Sequence, residues 1–115
     1  MPQHQGTLRD FAGENHIEIE TFYSHLRKLG MERSVFDQTI ETMSQGQQKK
    51  VELAKSLAQK AQLYVWDEPL NYLDVFNHEQ IITLIKTFSP SMLIIEHDAA
   101  FIEALGENNI NLIKK

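Results

Sequence analysis

Leu63-Tyr64-Val65-Trp66-Asp67-Glu68-Pro69 decides how the rest of the chain is read. Four apolar residues, two of them aromatic, run without alternation into two adjacent carboxylates and a proline. An unbroken apolar run of this kind predicts a strand buried on both faces that ends where its acids reach solvent. Ligand sites of open parallel sheets lie at the carboxyl ends of strands, which is where Asp67 and Glu68 stand. An Asp-Glu-Pro is also an ordinary exit from a strand, and on turn chemistry alone the two readings are evenly matched.

The neighbouring stretches break that tie. Upstream stands Met43-Ser44-Gln45-Gly46-Gln47-Gln48-Lys49-Lys50-Val51. Ser44 and Gln47 have the spacing of a capping box, and Val51, Leu53-Ala54 and Leu57-Ala58 supply an apolar stripe, which predicts a helix running to about Lys60. The uncapped amides at such a helix start attract phosphate, and Gly46 lets a ligand approach the backbone closely. Residue chemistry alone reads this segment as a well-capped helix and nothing more.

Downstream, Phe76, Ile81-Ile82, Leu84-Ile85 and Phe88 mark a helix that ends before Pro90. Met92-Leu93-Ile94-Ile95 is a second continuous apolar run, followed by Glu96-His97-Asp98. A strand, a helix and a strand connected over this distance predict parallel pairing with a right-handed crossover. Asp98 is placed to cap a helix reaching Leu105, with Gly106 as its stop and Ile110 to Ile113 as a last short strand.

The first third of the chain reads as helical throughout. Thr7 caps a short helix stopped at Gly13. Ile19, Phe22, Tyr23, Leu26 and Leu29 follow the three-and-four spacing of an amphipathic helix within Ile17 to Leu29, closed by Gly30. Ser34 is the expected cap of the next helix, with Val35, Phe36 and Ile40 turned inward. His4, His16 and His25 share no helical face and read as surface histidines, because a metal site needs three or four convergent ligands.

Composition narrows the class. With 115 residues, 42% of them hydrophobic and 23% charged, the chain has at most one domain and enough apolar surface for a modest core. It contains no cysteine, which excludes disulfide and zinc-thiolate scaffolds and fits a cytoplasmic setting. No apolar run approaches the roughly 20 residues of a membrane span. A net charge of -5 speaks against nonspecific nucleic-acid binding by this segment. Arg27-Lys28, Lys49-Lys50 and Lys114-Lys115 read as solvated surface pairs.

Taken together, the segments around Ser44, Asp67, Asn71 and His97 resemble, in order and spacing, the signature motif, Walker B strand, D-loop and switch histidine of an ABC-type ATPase domain. One such motif is weak evidence, whereas four in order are strong. The resemblance covers nearly the whole chain. It implies an α/β fold, part of a P-loop NTPase domain, with a helical subdomain over residues 1–60 and core parallel strands with crossover helices over 61–115.

It also implies site roles. Asp67 would bind Mg²⁺ directly or through water, and Glu68 would polarise the water that attacks ATP. His97, at the end of the neighbouring strand, would hydrogen-bond the terminal phosphate or that water. Ser44, Gln45, Gly46 and Gln47 would contact a nucleotide held by a second ABC ATPase domain, with Asn71 and Asp74 at the seam between the two. Gln3 resembles the Q-loop glutamine, and Gln5 fits equally well.

Two departures stand out. The usual Ser-Gly-Gly-Gln core reads Ser44-Gln45-Gly46-Gln47 here, so a side chain at Gln45 reshapes the phosphate contact. No Gly-x-x-x-x-Gly-Lys-[Ser/Thr] loop occurs in the chain, so these residues alone are expected to bind ATP poorly. The sequence thus resembles the C-terminal part of such a domain. Leu70-Asn71, where transporters mostly carry Thr-Ser, and the phrases Gly6-Thr7-Leu8-Arg9-Asp10-Phe11-Ala12 and Leu53-Ala54-Lys55-Ser56-Leu57 resemble ABC-F proteins that protect ribosomes from antibiotics. That implies a full-length parent that hydrolyses ATP and binds the ribosome without membrane insertion. The alternatives are an ATPase subunit of a membrane transporter and a non-catalytic module or fragment.

Overall fold

The structure, a computed structural model, describes residues 6–88, 90–106 and 110–114. The chain divides into two compact units, Met1–Gln59 and Lys60–Lys115.

The first unit is built from α1 (Leu8–Glu14), α2 (Ile19–Lys28), two short 3₁₀ turns (Arg33–Asp37 and Ile40–Thr42) and α3 (Gln45–Ala58). Its buried residues include Leu8, Phe11, Phe22, Leu26, Ile40, Val51 and Ala54, and the Phe11 and Phe22 rings stack with centroids 5.7 Å apart. Thr7 caps α1 through a capping box with Asp10. Two helix ends close alike. After α2, Met31 N–H donates to Leu26 O and Gly30 N–H to Arg27 O, with Gly30 at φ +83°. This paired pattern about a left-handed residue is the Schellman motif.

At α1 the expected stop was wrong by three positions. Gly13 lies inside the helix, and His16, at φ +55°, takes the left-handed turn while Ile17 N–H donates to Ala12 O and His16 N–H to Gly13 O. The hydrogen-bonding closure and burial of Ile17 outweigh the steric cost of a β-carbon there. Ser34 is likewise no cap. It sits inside the first 3₁₀ turn, whose N-cap is Glu32 without a side-chain bond.

His25 corrects another expectation. It is only 2% exposed, because it lies three residues after Phe22 and four before Leu29 on the buried face of α2. His16 is exposed, as expected, and His4 lies outside the described residues.

The second unit holds β1 (Tyr64–Asp67), α4 (Val75–Phe88), β2 (Met92–Glu96), α5 (Ala99–Leu105) and β3 (Ile110–Lys114). The strands are parallel in the order β1-β2-β3, with Trp66 opposite Ile94 and Met92 opposite Ile110. Successive right-handed crossovers that step the same way along a sheet bring their helices to one face, and α4 and α5 pack against each other.

The expectation of a first strand buried on both faces therefore fails. Trp66, Met92 and Ile94 are buried, whereas Val65 on the opposite face is 58% exposed and Ile113 48%. Phe76 and Phe88, among the apolar residues that mark the first crossover helix, α4, are exposed as well, and Ile81, Leu84 and Ile85 form its buried stripe.

Candidate functional site

The carboxyl edge of β1 and β2 carries the acids and the histidine. The ladder Tyr64↔Met92 to Asp67↔Ile95 continues one residue further, where Glu68 N–H donates to Ile95 O at 2.8 Å. Asp67 and Glu68 therefore leave β1 beside the end of β2, and His97 follows β2 immediately. The fold brings these three positions to one edge of two adjacent strands.

Glu68 adopts φ +50°, a left-handed conformation that costs a side-chain-bearing residue about 1–3 kcal/mol. The turn that follows holds it there. Asn71 N–H donates to Glu68 O at 3.2 Å, the Asn71 amide Nδ2 to Glu68 Oε2 at 3.4 Å, and Leu73 N–H to Leu70 O at 3.1 Å. Tyr72, at φ +68°, completes a segment with a second left-handed residue. Pro69 and Leu70 are buried beneath it, while Asp67 is exposed and Glu68 half-buried.

Asp74 has a defined local task. Its Oδ1 accepts Asn77 N–H at 3.0 Å and its carbonyl accepts His78 N–H at 3.1 Å, so it caps α4. Asp98 does the same for α5, accepting Phe101 N–H at 2.9 Å.

Glu96, which the sequence reading passed over, stands at the centre of the β2 exit. It is 3% exposed, and its Oε2 accepts His97 N–H at 3.0 Å and Asp98 N–H at 3.2 Å. The His97 Nδ1 lies 3.6 Å from the same oxygen, and the His97 side chain is 65% exposed. Glu96 Oε1 is buried without a hydrogen-bond partner. The signal was available in the alternation of β2, because Met92, Ile94 and Glu96 share one face.

The second candidate group lies at the start of α3. Ser44 Oγ accepts Gln47 N–H at 3.1 Å and Gln47 Oε1 accepts Ser44 N–H at 3.0 Å, the expected capping box. The box uses the hydroxyl of Ser44 and the amide oxygen of Gln47, so the amides of Gln45 and Gly46 in the first turn are the donors that remain for an anion. Gln48, also passed over, anchors this turn by donating through Nε2 to Ile40 O at 3.1 Å and Met43 O at 3.2 Å. Gln3 and Gln5 lie outside the described residues.

Among the described residues no cluster of three or more His, Cys, Asp or Glu is arranged to hold a metal ion. The exposed Asp67 carboxylate fits Mg²⁺ of the kind that keeps its waters and shares phosphate oxygens, which needs only one or two protein carboxylates. No helix among the described residues is long and apolar enough to cross a membrane.

Residues 2–71 match the family model described as "ABC transporter". The chain is 37% identical over 76 residues to the zinc transport system ATP-binding protein TroB of Treponema pallidum, covering 64% of this chain and 28% of that protein. It is 29% identical over 96 residues to the ribosome protection protein VmlR of Bacillus subtilis, covering 78% of this chain and 18% of that one. The chain thus spans well under a third of the length of either relative. Its fold resembles the archaeal ribosome recycling factor aABCE1, solved with the ribosomal stalk protein aP1, with a TM-score of 0.77 and 24% identity over 96% of this chain and 23% of that one. The α/β architecture is that of ABC-type P-loop NTPases, and the family match spans more than half of the sequence, including the Ser44 helix, the Asp67 strand and Asn71. The chain belongs to the ABC ATPase family.

Proposed function

We propose that this chain forms part of an ATP-hydrolysing domain of an ABC-F protein that acts on the ribosome. The observation that carries the hydrolytic part is the delivery of Asp67, Glu68 and His97 to one edge of two paired parallel strands, tied by the bond from Glu68 N–H to Ile95 O. Glu68 polarises a water that attacks the terminal phosphorus, the bond to the bridging oxygen breaks, and ADP and phosphate leave. Asp67 holds Mg²⁺, which when bound offsets charge on the phosphate oxygens. Ser44, Gln45, Gly46 and Gln47 meet the nucleotide of a second ABC ATPase domain, and Asn71 and Asp74 lie at the seam. Gln3 or Gln5 takes the Q-loop position.

The ABC-F assignment is supported by Leu70-Asn71 after the strand-end acids and by the likeness to VmlR. A second reading, an ATPase subunit of a transporter, is favoured by the higher identity to TroB. Pull-down of the tagged full-length gene product separates the two. Sedimentation with ribosomes, dependent on nucleotide and retained by a Glu68→Gln variant, is the expected result. Co-purification with an integral membrane protein and no ribosome binding would overturn the proposal in favour of the transporter.

A further inference from the structure

The C-terminal half of α2 and the first 3₁₀ turn border a cleft of about 570 Å³, lined by Tyr23, Arg27, Met31, Arg33, Phe36 and Asp37. None of these residues belongs to the site described above. Tyr23 and Arg27 are four apart on α2 and so share one helical face. Gly30, at φ +83°, turns the chain back. In the 3₁₀ turn that follows, Arg33 and Phe36 are three apart, a spacing that eclipses them on one side. The Phe36 ring meets the Tyr23 ring edge to face, with centroids 5.1 Å apart and planes at 77°. Met31 is buried, Tyr23 and Phe36 are half-buried, and Arg27, Arg33 and Asp37 are exposed.

This lining has the make-up of a recognition surface. Aromatic residues, Met and Arg are the types enriched where proteins bind one another, and Met adapts its shape to what it meets. Among the described residues no ion pair engages either guanidinium or the Asp37 carboxylate. Arg27, read from the sequence as half of a solvated pair with Lys28, thus stands with a second arginine beside apolar walls.

Charge and shape select the occupant. Guanidinium forks match carboxylates bidentately, and the apolar walls suit one side chain that fills them. A nucleic acid fits less well. Asp37 on the same cleft repels a polyanion, and the chain as a whole carries a net charge of -5. The edge-to-face pair also turns one ring toward the other instead of laying out both faces for stacked bases.

We propose that this cleft docks an acidic segment of a partner protein, which inserts an aromatic or leucine side chain among Tyr23, Met31 and Phe36 and sets flanking carboxylates on Arg27 and Arg33. The docking needs no nucleotide and does not depend on ATP hydrolysis.

The probe is an array of short synthetic peptides with a central Phe, Tyr or Leu, flanked on both sides by Asp and Glu, by Asn and Gln, or by Lys, and randomised elsewhere. Fluorophore-labelled chain is expected to be retained on the acid-flanked peptides at least about tenfold above the neutral and basic ones. Arg27→Gln and Arg33→Gln are each expected to weaken that retention about tenfold, the usual worth of a charge-assisted hydrogen bond. Both arginines are exposed, and circular dichroism checks that the variants fold. The site is read in the unsubstituted chain, labelled with ¹³C at its methionine methyls. The Met31 methyl resonance, assigned with Met31→Leu, is expected to shift when the best-retained peptide is added. Equal retention on neutral peptides would overturn the proposal. So would a preference for acidic flanks that both folded arginine variants keep, or a Met31 methyl that stays in place while the peptide binds. A short oligouridylate that shifts this methyl where acid-flanked peptides do not would assign the cleft to nucleic acid instead. Self-association of the chain that Arg27→Gln abolishes, with no retention on peptides, would assign it to a second copy and equally refute an acidic partner.

Discussion

Glu68 N–H reaches the carbonyl of Ile95 at 2.8 Å, one residue past the last register pair of β1 and β2. That bond continues the parallel pairing to the point where the chain turns left-handed, and so sets the acid of one strand beside the exit of the next. Replacing Glu68 by Gln keeps an oxygen for the Asn71 amide and removes the negative charge. In the full-length protein, ATP turnover is expected to fall about 10²–10⁴-fold, the usual loss for a positioned base. A steady-state phosphate-release assay checks this, and unchanged turnover would remove Glu68 from the mechanism.

Ser44→Ala breaks the capping box at the start of α3 by removing the acceptor of Gln47 N–H. The expected cost is about 1 kcal/mol of stability. Urea unfolding of the purified chain measures it. Ser44→Gly is expected to lose only a few tenths, because Gly is tolerated as an N-cap, about as well as Thr.

His16→Gly is expected to stabilise the chain by about 1 kcal/mol, by relieving the left-handed cost of a β-carbon at φ +55°. The exposed imidazole gives up little in exchange. A lower urea midpoint in the glycine variant would mean that His16 makes a compensating contact.

The pH dependence of stability should carry the mark of His25. Burial, and then the nearby charge of Lys28, hold its pKa below the ordinary 6.5. As pH falls, the unfolded chain takes up this proton first. The stability contributed by the neutral buried ring is therefore full above 6.5 and drains as pH falls from there through the folded-state value. Urea midpoints measured from neutral pH down to about pH 5 should decline, and His25→Gln should flatten that part of the decline. An identical slope in the variant would assign the dependence elsewhere.

The two faces of the sheet should respond differently to substitution. Ile94→Ala, on the buried face, is expected to cost about 2–5 kcal/mol. Val65→Thr, on the exposed face, should stay within about 0.5 kcal/mol. Comparable losses at both positions, again by urea unfolding, would mean that the Val65 face is covered in solution.

Much of the architecture was legible locally. The Thr7 cap, the capping box at Ser44, the Asp98 cap and the Gly30 stop each depend on residues within a turn of one another. The parallel pairing of β1 with β2 followed from two apolar runs separated by a helix length, since chain geometry leaves few other connections. The edge that gathers Asp67, Glu68 and His97 was readable for the same reason.

What hydropathy could not decide is which side of an element finds a partner. Leu63-Tyr64-Val65-Trp66 reads as apolar throughout, yet Trp66 is buried and Val65 is open, because the crossover helices cover one face of the sheet. Glu96 and His25 are polar residues at inward positions, and their burial is dictated by the alternation of β2 and the stripe of α2 rather than by their own chemistry. The sequence by itself determined the order of the elements, the caps at Thr7, Ser44 and Asp98 and the edge on which the acids fall, since these rest on short-range sterics and hydrogen bonding. The tertiary structure alone decided the open sheet face, the buried His25 and the Glu96 contact with His97, since burial belongs to the packed assembly and not to any single residue.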